Sequence, residues 1–383
     1  MASREALPSV IYHPEYRKYA FGEDHPFSPV RAEMTLDLLS TLGHEVSVLA
    51  PEPAARADIL RVHDDYYVRR VEELGAGLAV PDREDYGLDT PDNPAFPGME
   101  EASRWQVGGT LSGARLIIEQ GEKRVLQMGG GLHHARRNFA SGFCIYNDLA
   151  IAIDYLTRQG LWVAYLDIDV HHGDGVQQIL YEDKRVLTLS MHESGKYLFP
   201  GTGEIHELGF GLGCGLKLNL PLEPFTEGNS YLEIFDLVVP AALRQFRPGI
   251  IIVQAGADAH FEDPLADLML TTHDYEAIFR RVFELADALT AGRVLFTLGG
   301  GYSLRAAPRV WALLYLLMHD LPVPRDLPAA WLGKWASHLG ANPAQTLHDA
   351  NPGHADIPNR EEIVHRNLQV AHRLLDAARP YWF

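Results

Sequence analysis

Five short apolar runs constrain this chain more than any other feature, and four of them end in glycine, aspartate, histidine or tyrosine clusters. Val125–Met128 precedes Gly129-Gly130-Gly131, and Val163–Asp169 precedes His171-His172-Gly173. Val186–Met191 follows, then Ile250–Gln254 before Ala255-Gly256-Ala257-Asp258, then Val294–Leu298 before Gly299-Gly300-Gly301-Tyr302. Each run is too short for a helix and too continuous for a strand with one wet face. Strands buried on both faces read this way. Helical patterns lie between them, at Tyr146–Arg158, Tyr231–Phe246 and Tyr275–Thr290. This alternation predicts an α/β fold with a central, mostly parallel sheet of about eight strands covered by helices on both faces. Ligands bind such sheets beyond the carboxyl ends of the strands. The polar clusters should therefore converge at one end of the sheet, although they are far apart in sequence.

Composition narrows the function. The chain has 383 residues, 46% hydrophobic, and a formal net charge of −18. That length suits one large domain or two ordinary ones, and residues 1–383 are read as a single domain. The acidic balance argues against nucleic acid and anionic membranes as partners. No run of 18 apolar residues predicts a membrane span, and Met1–Glu5 starts no apolar leader. Cys144 and Cys214 make no disulfide framework, so a cytoplasmic setting is expected. Pro81–Pro97 reads as a long acidic loop, and Leu321–Pro328 as a connection into a C-terminal helical appendage, about 321–383. Oligomeric state is open.

The 18 histidines are the unusual count. On a strand, Asp167, Asp169 and His171 project to one face. Asp169 and His171 can form half of a metal site, which Asp258 would complete. Two carboxylates and one imidazole suit zinc and leave a position open for water or substrate. A buried Asp–His network explains the first segment equally well; Gly256-Ala257-Asp258 favours the metal. His133 and His134 need carboxylates to orient them, and Asp167 and Asp174 are available. Such pairs beside a metal are acid–base machinery, whereas alone they read as surface histidines. Tyr302 can donate to a developing oxyanion, or simply pack at a turn. Phe143 and Phe199 form an apolar slot if they face each other, and otherwise edge the core. Arg31 alone is a solvated charge.

Taken together, GGGLHHA (129–135), GFCIYND (142–148), DIDVHHGDGVQ (167–177), LFPGTGE (198–204), QAGAD (254–258) and LGGGYSLR (298–305) resemble the histone deacetylase superfamily and its arginase–deacetylase fold. The motifs keep the family's order over about residues 12–320. FGEDHPFSPVRAEMTLDLL (21–39) and YGLDTPDNPAFPGMEEA (86–102) resemble its bacterial acetoin-utilisation branch.

The resemblance implies Asp169, His171 and Asp258 as ligands of one Zn²⁺ or Fe²⁺. It implies His133 and His134 as a catalytic dyad with Asp167 and Asp174, and Tyr302 as the group that polarises the carbonyl. Gly142, Phe143, Phe199 and Leu265 would line the substrate tunnel. Asp92 would bind the substrate backbone at the rim, and Arg31 would line an internal acetate channel. A structural potassium ion is implied at Asp167, Asp169, His171, Ser190 and Met191, and a second at Leu180, Asp183 and Val186. The implied reaction is hydrolysis of N-ε-acetyl-lysine on a metabolic protein such as acetyl-CoA synthetase.

Three alternatives compete with this assignment. A two-manganese hydrolase of the same fold needs further carboxylates where this chain has Gly173 and His260. A silent acetyl-ligand binder would lack a catalytic residue, and none is missing. An acetylpolyamine deacetylase would suit the acidic chain, but the insertion usual to that branch is not evident.

Overall fold

The computed structural model describes residues 9–351, 353–354 and 356–382. Eight strands form one sheet: β1 Val10–Ile11, β2 Val48–Leu49, β3 Arg124–Gln127, β4 Val163–Asp167, β5 Val186–Glu193, β6 Lys217–Leu222, β7 Ile250–Gln254 and β8 Val294–Thr297. Their order is β2-β1-β3-β8-β7-β4-β5-β6. Every pairing is parallel, so the sheet is wholly rather than mostly parallel.

Alternate side chains of the central strands enter two separate cores, the period-two rule acting on both faces. Leu126, Leu166, Leu189, Val253 and Phe296 join one core. Val125, Tyr165, Val186, Ile252 and Leu295 join the other. The first is covered by helices Val30–Thr41, Gly228–Phe246, Thr272–Thr290 and Ala307–Met318. The second lies under helices Met99–Arg115 and Asp148–Arg158. The three helices expected from sequence are present, two of them beginning three residues earlier, at Gly228 and Thr272.

The C-terminal region is not an appendage. Trp331 is fully buried and its indole donates to the Met34 carbonyl at 2.9 Å. Helix Arg360–Trp382 buries Ala371, Leu374 and Ala378 in the first core. Its Asn367 donates to Thr226 and Ser230 at 2.8 and 3.0 Å. The acidic loop 81–97 carries a short helical turn, Arg83–Tyr86, tied by the Arg83–Asp89 pair at 2.6 Å.

Candidate active site

β4 and β7 are neighbours, with Asp167 level with Gln254, so the loops leaving them start side by side. The β4 loop brings Asp169 and His171, and the β7 loop brings Asp258. One ligand atom from each lies within 4.8 Å of the others, and all three residues are buried. His171 Nδ1 stands 3.0 Å from Asp169 Oδ1 and 3.2 Å from Asp258 Oδ2. The remaining oxygens are held from outside. Gln254 Nε2 and the Gly300 amide donate to Asp169 Oδ2 at 2.6 and 2.8 Å, and the Val170 amide donates to Asp258 Oδ1 at 2.9 Å. These bonds hold the two carboxylates with their other oxygens turned to His171 Nδ1. Position 300 must be glycine, because a Cβ there would lie 1.9 Å from Asp258 Oδ2.

The charge balance suits a cation. Burial lowers the His171 imidazole, but Asp169 and Asp258 outweigh it and push it up to about 10. Burial, with Asp169 beside it, pushes Asp258 up to about 7. A buried pair of carboxylates that retains a proton on its imidazole is a group that a divalent ion with an open position would satisfy.

The β3 loop supplies the histidines. Its Gly131 and Leu132 amides donate to the Asp148 carboxylate at 3.0 and 2.7 Å, and so does Thr110 at 2.5 Å. His133 Nδ1 lies 2.8 Å from Asp167 Oδ2, an oxygen that also accepts from the Tyr165 hydroxyl at 2.5 Å. His134 Nδ1 lies 2.7 Å from Asp174 Oδ1, and Arg136 pairs with the other oxygen at 2.9 Å. A carboxylate only accepts, so each Nδ1 carries the hydrogen and each Nε2 faces away from its aspartate. Burial lowers His133, yet Asp167 and Asp169 hold it up at about 9. Burial and the neighbouring His133 bring His134 down to about 3, against the pull of Asp174.

The β8 loop places Tyr302, whose amide donates to Asp263 at 2.7 Å. Burial, then Asp258 and Asp169, keep its phenol well above the ordinary value, so it remains a donor. Phe143 packs edge-on to Tyr302 at 5.6 Å, and Phe199 packs edge-on to His134 at 5.0 Å. The two aromatics thus flank the site from the tyrosine side and the histidine side. Asp92 accepts from the Gly142 amide at 2.7 Å. Leu265 donates its amide at 3.0 Å to Asp263, the residue that also accepts from the Tyr302 amide. Arg31 is buried, donates to the Gly301 carbonyl at 2.6 Å, and lines a cavity of about 30 Å³ with Met128, Leu132 and Gly299.

Ser190 and Met191 are buried on β5, Ser190 level with Asp167, while the Ser190 hydroxyl pairs with His192 at 2.8 Å. The second potassium site expected at Leu180, Asp183 and Val186 is corrected: the Lys217 ammonium donates to the Val186 and Asp183 carbonyls at 2.6 and 3.3 Å. His260, where a two-metal site would want a carboxylate, pairs with Asp349 at 2.9 Å and stands outside the ligand group.

Gln254, Asp148, Tyr165, Asp263 and Arg136 were not singled out from sequence, although all hold site residues in place. Tyr165 had a signal: it sits two residues before Asp167 on one strand face. Gln254 and Asp148 stand inside the QAGAD and GFCIYND motifs.

Fold and site together define the class. A family model described as "Histone deacetylase domain" matches residues 25–318, and the chain belongs to that family. Within it, the chain is similar to acetoin utilization protein AcuC of Bacillus subtilis (strain 168), 41% identical over 374 residues, covering 96% of this chain and 97% of that protein. It is 36% identical to the AcuC of Staphylococcus aureus (strain MSSA476) over 377 residues, covering 97% of each. A solved structure of "an HDAC homolog from Aquifex aeolicus" superposes with a TM-score of 0.83 at 27% identity, covering 94% of this chain and 99% of that one. Another, of an HDAC homolog complexed with SAHA, has the same score, identity and coverage. The chain is thus a deacetylase-family hydrolase of AcuC-like type. Among the described residues no helix is long and apolar enough to cross a membrane.

Proposed function

We propose that this chain hydrolyses N-ε-acetyl-lysine on a cytoplasmic metabolic protein, such as acetyl-CoA synthetase, and releases acetate. The observation that carries this reading is the Asp169–His171–Asp258 group set beside two His–Asp pairs and Tyr302. Zinc or ferrous iron held by that group would supply a Lewis acid for water and for the acetyl carbonyl, and both metals accept these ligands.

The chain's own residues do the rest. His134 is neutral at pH 7, so its Nε2 takes the proton of the attacking water as the C–O bond forms. The same Nε2 gives that proton to the lysine amine as the C–N bond breaks. Asp174 keeps the ring oriented throughout. His133, held by Asp167, faces the developing negative charge, and the Tyr302 hydroxyl donates to it. Phe143 and Phe199 exclude water from the alkyl stem. At the rim, the bonds from Gly142 and Asn93 both fall on Asp92 Oδ2, which leaves Oδ1 for a substrate backbone N–H. Arg31 and its cavity suit the acetate product. A potassium ion at Asp167, Asp169, His171, Ser190 and Met191 belongs to the same proposal.

The test offers an acetyl-lysine peptide and an acetylated polyamine to the purified enzyme, each with and without chelator, and counts metal per chain. Chelator-sensitive acetate release from the peptide, with about one metal per chain, is expected. Turnover of the polyamine alone would move the substrate. Turnover of neither, with metal bound, would overturn the enzymatic reading.

A further inference from the structure

Lys217 opens β6 and is fully buried. Among the described residues it makes no salt bridge. Asp183, the acid whose charge acts on it, has its carboxylate turned to Arg185, with guanidinium contacts at 2.7 and 3.1 Å and a hydrogen bond from the Arg185 amide at 2.8 Å. The ammonium instead donates to two main-chain carbonyls, Val186 O at 2.6 Å and Asp183 O at 3.3 Å. The loop Leu208–Gly215 closes over its stem. The Lys217 and Gly215 amides both donate to the Leu208 carbonyl, at 3.3 and 2.7 Å. A Cβ on Gly209 would meet Lys217 Cγ at 3.1 Å and the Gly213 carbonyl at 2.2 Å, so the lid fits only without a side chain. Burial pushes Lys217 down to about 7, with Asp183 pulling the other way.

A desolvated cation with no counter-ion is costly unless oriented dipoles replace its water. Carbonyl oxygens carrying no net charge, closed off from solvent, are the donor type that stands in for the hydration shell of a potassium ion. We propose that the turn Leu180–Val186 and β6 enclose a monovalent-cation site that this chain fills with its own Lys217 ammonium. Removing that head group turns the cage into a potassium-binding site. The position gives the tether a purpose. The turn joins helix Asp174–Ile179, which bears the partner of His134, to β5, which bears Ser190. A cation that cannot dissociate fixes this connection at any salt composition.

Two variants separate the cation from the packing. Lys217→Met keeps the stem and fills the cage, whereas Lys217→Ala opens it. Thermal unfolding is followed in potassium chloride and in choline chloride, whose cation is too large to enter. Both variants should lose several °C in choline. In potassium, Lys217→Ala should recover more than wild type gains, and Lys217→Met no more than wild type. Thallium(I)-soaked crystals should show an ion between Val186 O and Asp183 O in Lys217→Ala and none there in wild type. An ion in the wild-type cage, equal potassium responses of the two variants, or a Lys217→Ala protein that folds in neither salt would each overturn the proposal.

Discussion

His133 and His134 are adjacent, with ring centroids 4.0 Å apart, and each holds a buried aspartate through Nδ1 at almost the same distance, 2.8 and 2.7 Å. Their proton affinities nevertheless diverge, about 9 against about 3. The pair geometry cannot cause this, so the cause lies in what surrounds each pair. His133 Nε2 is 3.8 Å from a second carboxylate, Asp169, while Asp174 shares its charge with Arg136 and His134 feels the neighbouring His133. Before a metal ion loads the site, the surroundings favour the charged form of His133 and the neutral form of His134. Two identical motifs acquire two roles from their neighbours.

The largest expected effect removes the feature both pairs share. Asp258→Asn should abolish stoichiometric metal and lower turnover by about 10³ or more, since a metal contributes several kcal/mol to the transition state. Metal counting beside acetate release checks this. Tyr302→Phe should cost about 10²–10³ in kcat while metal and fold are retained. A variant as fast as wild type would remove Tyr302 from the chemistry.

The comparison itself is tested by replacing each histidine in turn. His134→Ala should lose about 10²–10⁴, the range of general acid–base catalysis, and His133→Ala should lose less. Equal losses would mean that the pairs are not differentiated. A thermal readout sharpens the same point. His133 has a raised folded-state pKa, so its stabilisation is complete below its unfolded value of about 6.5. It is lost as pH rises through about 9. The Tm gap between metal-free wild type and His133→Gln should therefore be widest below about pH 6.5 and close as pH rises above about 9. The smallest effect is expected from Arg136→Gln. Losing that positive charge raises the pKa of His134 and moves the acidic limb of kcat/KM to higher pH. Because the Arg136 side chain is 37% exposed, the shift should stay under about one pH unit.

The five strands legible in the sequence are those buried by apolar residues on both faces. β6 escaped because it buries polar groups with specific partners: Lys217 on carbonyls, and Asn219 donating to Gln177 at 2.8 Å. β1 and β2 are two residues each, too short for any periodicity. The metal group was legible because its aspartates and histidine stand at fixed offsets after strands. Asp148 and Gln254 act through ordinary hydrogen bonds to main chain and carboxylate, and nothing in their spacing distinguishes them from caps. The C-terminal contacts span some 140 to 300 positions, so no local pattern announces them.

Asp349 ties the C-terminal region to the loop of the site. It lies beyond the matched domain, which ends at 318, yet it holds His260 at 2.9 Å, Arg309 at 2.9 Å and the Thr272 amide at 2.8 Å. His260 is two residues from Asp258. A fragment trimmed to the recognisable domain would carry every motif and leave the loop bearing Asp258 without its floor, so the tail must travel with the chemistry whenever the chain is fused, swapped or shortened.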